Sequence, residues 1–363
     1  VCSSDLFEII VLVSNNRTII SNITAIFRVE EQVRKIIFVD FITRYGGLIA
    51  SIILVFIYRN LYGYFGGLVI AEGFLAASLL WLIRKKLSVH AVNFRMLIQA
   101  VKYGLPLSVS NLSSFFLATG DRYVVSYFLG AGAVATYTVA YNLCNYVFEL
   151  IKNIFMYTFM PLIMNHWNRD EVEESTRLLS IYFRLYVMVT LPAVFGLSAV
   201  GQGALTFLAG EKYADAYFLI PVLASGIAVN GLSHVTFSGL YYQSRSKEIL
   251  GITLGCAILN LVLNLVLLPL VGLIGAAWAT GVSYLLMVVT GSWFTHSLLR
   301  IDYSFVAIGK YLLISFLMYL LIVHVGVQGN IGLLIKVLLG AVSYLVMLMA
   351  IDFKYIKMAY GSL

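Results

Sequence analysis

The chain has 363 residues, 61% of them hydrophobic and 11% charged, with a mean hydropathy of +0.93. A soluble domain carries about 25% charged residues, so this chain cannot cover a globule with solvated side chains, and its apolar surface must face lipid. The net charge of +7 does not indicate nucleic acid, because the basic residues lie between apolar runs and not along one element.

A helix needs about 20 apolar residues to cross the hydrocarbon core. In chain order, eleven such runs are expected: 6–27, 36–57, 62–83, 103–129, 134–160, 178–200, 217–242, 250–268, 272–294, 305–325 and 331–351. The first is the weakest, since Asn15-Asn16-Arg17 interrupts it. All are too long and too uniformly apolar for barrel strands, so the fold class is an all-α integral membrane protein. Arg28, Arg34, Lys35, Arg84, Lys85, Lys86, Arg95, Lys102, Arg169, Arg177, Arg245, Lys247, Arg300, Lys354 and Lys357 fall on one side of the alternating connections, and only Arg59 and Lys212 on the other. The positive-inside rule makes the rich side, and with it the C-terminus, cytoplasmic. The polar stretch 165–177 reads as an elbow carrying a short surface helix.

The segment from Phe27 through Lys35, followed by Gly63-Tyr64-Phe65-Gly66-Gly67, is echoed by Tyr241 through Glu248 and Gly272-Leu273-Ile274-Gly275-Ala276. By the charge pattern both copies run outside to inside, the mark of a parallel repeat, as found in transporters whose site lies between two halves. Three helices precede the second copy and none the first, so about three are expected to lie before Phe7. The domains are then 7–86, the remainder of an N-terminal bundle; 87–300, a C-terminal six-helix bundle; and 301–363, an extra helix pair with a cytoplasmic tail.

Tyr103-Gly104-Leu105-Pro106-Leu107 leads into Gly120-Asp121-Arg122-Tyr123, then Tyr127-Phe128-Leu129-Gly130, then Val134 through Tyr141. Together with Gly272-x-x-Gly275-Ala276-Ala277, this order resembles the polysaccharide transport proteins, O-antigen flippases included, of the multidrug/oligosaccharidyl-lipid/polysaccharide exporter superfamily. Ala135 departs from the glycine many relatives carry there. The resemblance implies two bundles that move an undecaprenyl-pyrophosphate-linked oligosaccharide from the inner to the outer leaflet of the bacterial inner membrane by alternating access. It also implies lipid as surroundings and a glycan polymerase as a partner.

No P-loop, HExxH or GxSxG is present, and Cys2, Cys144 and Cys256 are too far apart to suggest a disulfide or a metal site. No enzyme activity, cofactor, metal or nucleic-acid partner is expected, and energy would come from an ion gradient, the substrate gradient or a partner. The charges inside helices carry the functional reading, because each is costly in hydrocarbon and faces a partner or water. Arg44, Arg122, Lys152 and Arg184 are candidates for a cationic cavity that binds pyrophosphate, which arginine matches bidentately. Asp40, Glu72, Asp121 and Glu149 are candidates for ion coupling. Bland readings stand beside these. Asp40–Arg44 and Glu149–Lys152 sit at helical spacing as self-neutralised pairs, Asp121-Arg122 suits a helix cap, and Arg184 can snorkel to headgroups.

Tyr123, Tyr127, Tyr137 and Tyr141 suggest either sugar stacking or an interfacial belt. Gly251 and Gly255 have a spacing that suits close helix packing, and Pro106 and Pro192 mark candidate bends. Two other transport readings and one enzymatic one compete with the flippase. An ion-coupled multidrug antiporter needs an acid-dominated cavity, which this core lacks. A peptidoglycan-precursor flippase differs only in cargo. A membrane polymerase needs a large outer loop, and the longest outer connection, 201–216, is short.

Overall fold

The computed structural model describes residues 2–29, 32–84, 94–327 and 329–360. Lys85 and Lys86 of the charge pattern and Glu30 and Glu31 of the repeat lie outside these, as do the side chains of Arg28, Lys354 and Lys357. Every regular element among the described residues is helical. The chain divides into two compact units, Val1–Leu97 and Ile98–Leu363.

Unit 1 holds α1 (Cys2–Val29), α2 (Val33–Phe41), α3 (Gly47–Tyr58) and α4 (Leu61–Ile83), with a π-turn, Ile42–Gly46, joining α2 to α3. Its core is Ile20, Ile23, Phe27, Val39, Leu75, Ala76, Leu79 and Ile83, one stripe from each of three helices. The α3–α4 hairpin is closed by Asn60, whose side chain caps α4 by accepting from the Gly63 amide at 3.0 Å.

Unit 2 begins in α5 (Phe94–Thr119) and continues with α6 (Asp121–Asn168) and α7 (Val172–Ala209). A 3₁₀ segment, Glu211–Leu219, leads into the short helices α8 (Ile220–Asn230), α9 (Ser233–Thr236) and α10 (Ser238–Tyr242). Then come α11 (Ser246–Val271), α12 (Leu273–His296), α13 (Phe305–Val323) and α14 (Gly329–Tyr360). One core cluster gathers α5, α6, α8, α11 and α12 around Val125, Tyr137, Cys144, Leu219 and Ala276. A second joins α6 and α7 to α13 and α14 through Tyr182, Tyr186, Tyr311 and Ile314. Large side chains such as Phe56, Phe74 and Phe305 are more than three-quarters exposed, as lipid-facing surfaces require.

Nine helices among the described residues are long and apolar enough to cross a membrane, where the sequence suggested eleven. The longest, Phe94–Asn168, spans two of the expected runs and is broken at Gly130 (φ 80, ψ 175), a conformation that favours glycine. α1 is helical but is not among the nine, because its polar residues interrupt the apolar run.

Other expectations are corrected by packing. The helices run on through Pro106 and Pro192, and non-helical backbone falls instead at Gly130 and at Asp352 (φ −134, ψ 22). The residues assigned to a surface helix are the first turns of the 38-residue α7, which follows α6 after a break at 169–171. The repeat also shifts register. Gly63 and Gly275 each sit two residues into α4 and α12, and a Cβ on either would lie 2.6 Å from a carbonyl of the preceding helix. Thus Gly63 matches Gly275 and not Gly272. Gly251 and Gly255 have nothing within 4 Å of an added Cβ, whereas one on Gly67 would lie 2.4 Å from the Ser51 backbone.

The contrast is testable. Gly67→Val should lower the melting temperature of detergent-purified protein, as overpacking costs about 1–3 kcal/mol, while Gly251→Val should leave it unchanged. Equal effects would count against the close α3–α4 approach.

Candidate functional site

The deepest polar feature of unit 2 is built around Asp121, which begins α6 and is fully buried. Tyr137, sixteen residues on and across the Gly130 break, donates its hydroxyl to Asp121 Oδ2 at 2.6 Å. Thr280 of α12 donates to the same oxygen at 3.3 Å. Behind Thr280 stands Asn260 of α11, whose amide donates to Thr280 Oγ1 at 3.5 Å, and behind that Asn264, donating to Asn260 Oδ1 at 3.2 Å. Each donor is aimed along the chain toward the carboxylate. Asp121 Oδ1 and Asn264 Oδ1 are buried with no hydrogen-bond partner. A buried carboxylate oxygen in that position is costly unless a proton or cation meets it. Among the described residues no cluster of three His, Cys, Asp or Glu gathers. Tyr137 and Thr280 occupy Oδ2, so Oδ1 is the carboxylate oxygen left for a proton or a cation.

Arg122 follows Asp121 and forms a loose ion pair with it. Its Nη1 donates to the Ala118 carbonyl at 2.8 Å and its Nε to Thr138 at 3.3 Å. Its guanidinium lies over the Tyr141 ring, 4.6 Å from the centroid. The nearest carboxylate oxygen, Asp121 Oδ1, is 3.7 Å from Nη1, and Nη2 has no recorded partner. Tyr141 in turn meets the Tyr284 hydroxyl at 3.3 Å. Farther along α6, Lys152 and Glu149 form the i,i+3 pair that their spacing suggested, at 2.6 Å.

The other intramembrane charges are matched elsewhere. Glu72 is buried on α4 and holds Arg17 of α1 in a fork, with Nη2 at 2.9 Å and Nε at 3.0 and 3.1 Å. Arg184 was expected with the other three cations. Its guanidinium instead binds Asp352 of α14 at 2.6 Å and the Tyr311 hydroxyl of α13 at 3.0 Å. Tyr311 also donates to Asp352 at 2.5 Å. Asp40 and Arg44 are both exposed, and no ion pair between them is recorded. Arg44 lies within the π-turn, whose wider winding takes residues four apart off a common face.

Several site residues had no conspicuous signal in the sequence. Arg17 looked like an interruption of α1 and proves to be its attachment to α4, with Asn16 donating to the Val69 carbonyl at 3.4 Å. Asn260 and Asn264, four apart in the most apolar span of the chain, could have been found by asking why two amides stand there. The four tyrosines split: Tyr123 and Tyr127 are exposed, as an interfacial belt requires, while Tyr137 and Tyr141 are buried in the network.

Comparison with known proteins places these features in context. A family model described as "polysaccharide biosynthesis protein" matches residues 3–218. A "probable low-salt glycan biosynthesis flippase" of Haloferax volcanii is 22% identical over 256 residues, which cover 69% of this chain and 53% of that protein. An uncharacterized membrane protein of Methanocaldococcus jannaschii is 25% identical over 202 residues, covering 54% of this chain and 39% of its own length. The chain thus spans about half the length, or less, of these curated relatives. Among solved structures, the lipid II flippase MurJ in an inward closed conformation superposes with a TM-score of 0.67 at 17% identity, covering 86% of this chain and 67% of that one. That likeness is one of fold.

Two outcomes follow from the geometry. If Asp121 receives a cation, sodium should raise the melting temperature of the purified protein relative to choline, by ligand linkage, and Asp121→Asn should abolish the difference. A sodium response retained in Asp121→Asn would remove the carboxylate from that role. Asp352→Asn should destabilise unit 2 by about 3–5 kcal/mol, as for a broken buried pair. The double variant with Arg184→Met should recover part of that loss in the same thermal scan.

Proposed function

The chain belongs to the polysaccharide biosynthesis protein family, and from that premise we propose that it carries lipid-linked oligosaccharide across a membrane. The cargo in this reading is an undecaprenyl-pyrophosphate-linked oligosaccharide. It moves from the inner to the outer leaflet of the bacterial cytoplasmic membrane, with the C-terminus on the cytoplasmic side. The reading is supported by one feature above the rest: Arg122 and Lys152 lie inside spanning segments of unit 2 with side chains about one-fifth exposed.

A pyrophosphate cannot enter hydrocarbon without positive charge beside it. Arg122 is held from behind by Ala118 and Thr138 and stacked on Tyr141, which orients the guanidinium while leaving Nη2 to a phosphate oxygen. Lys152, about 20 Å farther along α6 than the Thr138 that holds Arg122, supplies a second, point-like charge that meets the headgroup at another depth, exchanging its Glu149 partner for it. The Asp121 carboxylate adjoins Arg122 in sequence and sits 3.7 Å from its Nη1. Its occupation by a proton or cation would therefore change the field at the arginine, which links an ion gradient to headgroup binding. The choice of an oligosaccharide over a peptidoglycan precursor rests on the family.

The test is transport of a fluorescent lipid-linked oligosaccharide by the full chain in liposomes, read by chemical quenching of the outer leaflet. Hydrogen bonds to charged groups contribute about 1.5–3 kcal/mol. Arg122→Gln should therefore slow transport by roughly tenfold to a hundredfold. Arg122→Lys should recover only part of the rate, because an ammonium lacks the planar fork. Wild-type transport by a correctly inserted Arg122→Gln/Lys152→Gln protein would overturn the proposal.

A further inference from the structure

Unit 2 contains a cavity of about 210 Å³ between α5, the short helices α8 to α10, α11 and α12. Its wall differs from the rest of the bundle. Asn111 and Ser114 from α5 face Asn230, Ser233 and His234 from α8, α9 and the turn between them, with Tyr241 at one edge. None of the first five has a recorded side-chain hydrogen bond, and none has an interaction beyond those described. By contrast, the neighbouring Ser110 and Thr253 satisfy each other at 2.9 Å, and Tyr284 is engaged by Tyr141.

Asn111 is exposed and the other four are half-buried, so their hydrogen-bonding capacity is open to water or to a polar occupant of the cavity. Their chemistry describes the occupant. Two amides, two hydroxyls and an imidazole together present both donors and acceptors, which is what a set of hydroxyl groups requires. Phe237 and Tyr241 add aromatic surface for an apolar face. The lining contains no Arg, Lys, Asp or Glu, so nothing in it matches a carboxylate on the occupant. Ala118 also lines the cavity and its carbonyl accepts from Arg122 Nη1 at 2.8 Å, which brings a cation proposed for the pyrophosphate close to this wall.

We infer that this cavity is the subsite for a neutral, hydroxyl-bearing sugar residue of the cargo, next to the charge that receives its pyrophosphate. The inference rests on the glycan-transport reading and deepens it: the subsite accepts an uncharged hexose or N-acetylhexosamine and rejects a uronic acid. Selectivity arises because a carboxylate placed here loses its hydration without gaining a cation.

The test uses the full chain in liposomes, with Cys2, Cys144 and Cys256 replaced by alanine and Ser233→Cys added as a reporter. A small polar thiosulfonate should label the reporter. N,N′-diacetylchitobiose should slow labelling several-fold, and digalacturonate should not. Asn230→Leu and His234→Leu should each remove the protection. Ser114→Cys, on the opposite wall, should report the same pattern if the first variant is poorly folded. Absence of labelling at both reporters, equal protection by the two sugars, or protection that survives both leucine variants would overturn the subsite. Transport of the lipid-linked oligosaccharide is measured in parallel. Transport without sugar protection removes the subsite alone, and protection without transport removes the glycan-transport reading alone.

Discussion

A carboxylate with no route to water organises unit 2. Asp121 lies where α5 gives way to α6, and a tyrosine, a threonine and two asparagines are ordered in series toward it. Lipid offers no hydrogen bonds, so every polar group inside a spanning bundle must find its partner in the protein. The network meets this requirement for all but two buried oxygens, Asp121 Oδ1 and Asn264 Oδ1. The helices it connects, α6, α11 and α12, are among those that enclose the first core cluster. The same interaction thus holds these helices together and leaves Asp121 Oδ1 to the Arg122 guanidinium, 3.7 Å away.

The remaining charges separate by whether they are matched. Glu72 with Arg17, and Asp352 with Arg184 and Tyr311, join helices far apart in sequence. Such pairs specify which helices meet. Arg122 and Lys152 are different. One is braced on neutral groups and an aromatic ring, and the other has a half-exposed partner on its own helix. Both retain capacity for a ligand. A polar cavity with open amides and hydroxyls lies in the same unit.

The bends tell a similar story about local rules and tertiary override. Proline was the obvious marker, yet α5 and α7 absorb Pro106 and Pro192 within continuous helix. The breaks fall at Gly130, where φ is positive, and at Asp352, where the carboxylate turns to meet Arg184 and Tyr311. The π-turn at Ile42–Gly46 likewise rotates Arg44 away from the position that uniform helical spacing assigns to it.

The amino-acid sequence by itself determined that the chain is helical and lives in lipid, because 11% charge cannot solvate a surface of this size and long apolar runs admit no other backbone solution. It also marked which residues would be costly in hydrocarbon, and it revealed the Glu149–Lys152 pair, whose contact is local. Only the tertiary structure decided the partners: Arg17 for Glu72, Asp352 for Arg184 and Thr280 for Asp121. Those contacts span 55 to 168 residues in sequence, and no helical period encodes them. They depend on which helices pack together, as does the close approach of Gly67 to Ser51, and that packing is a property of the assembled bundle.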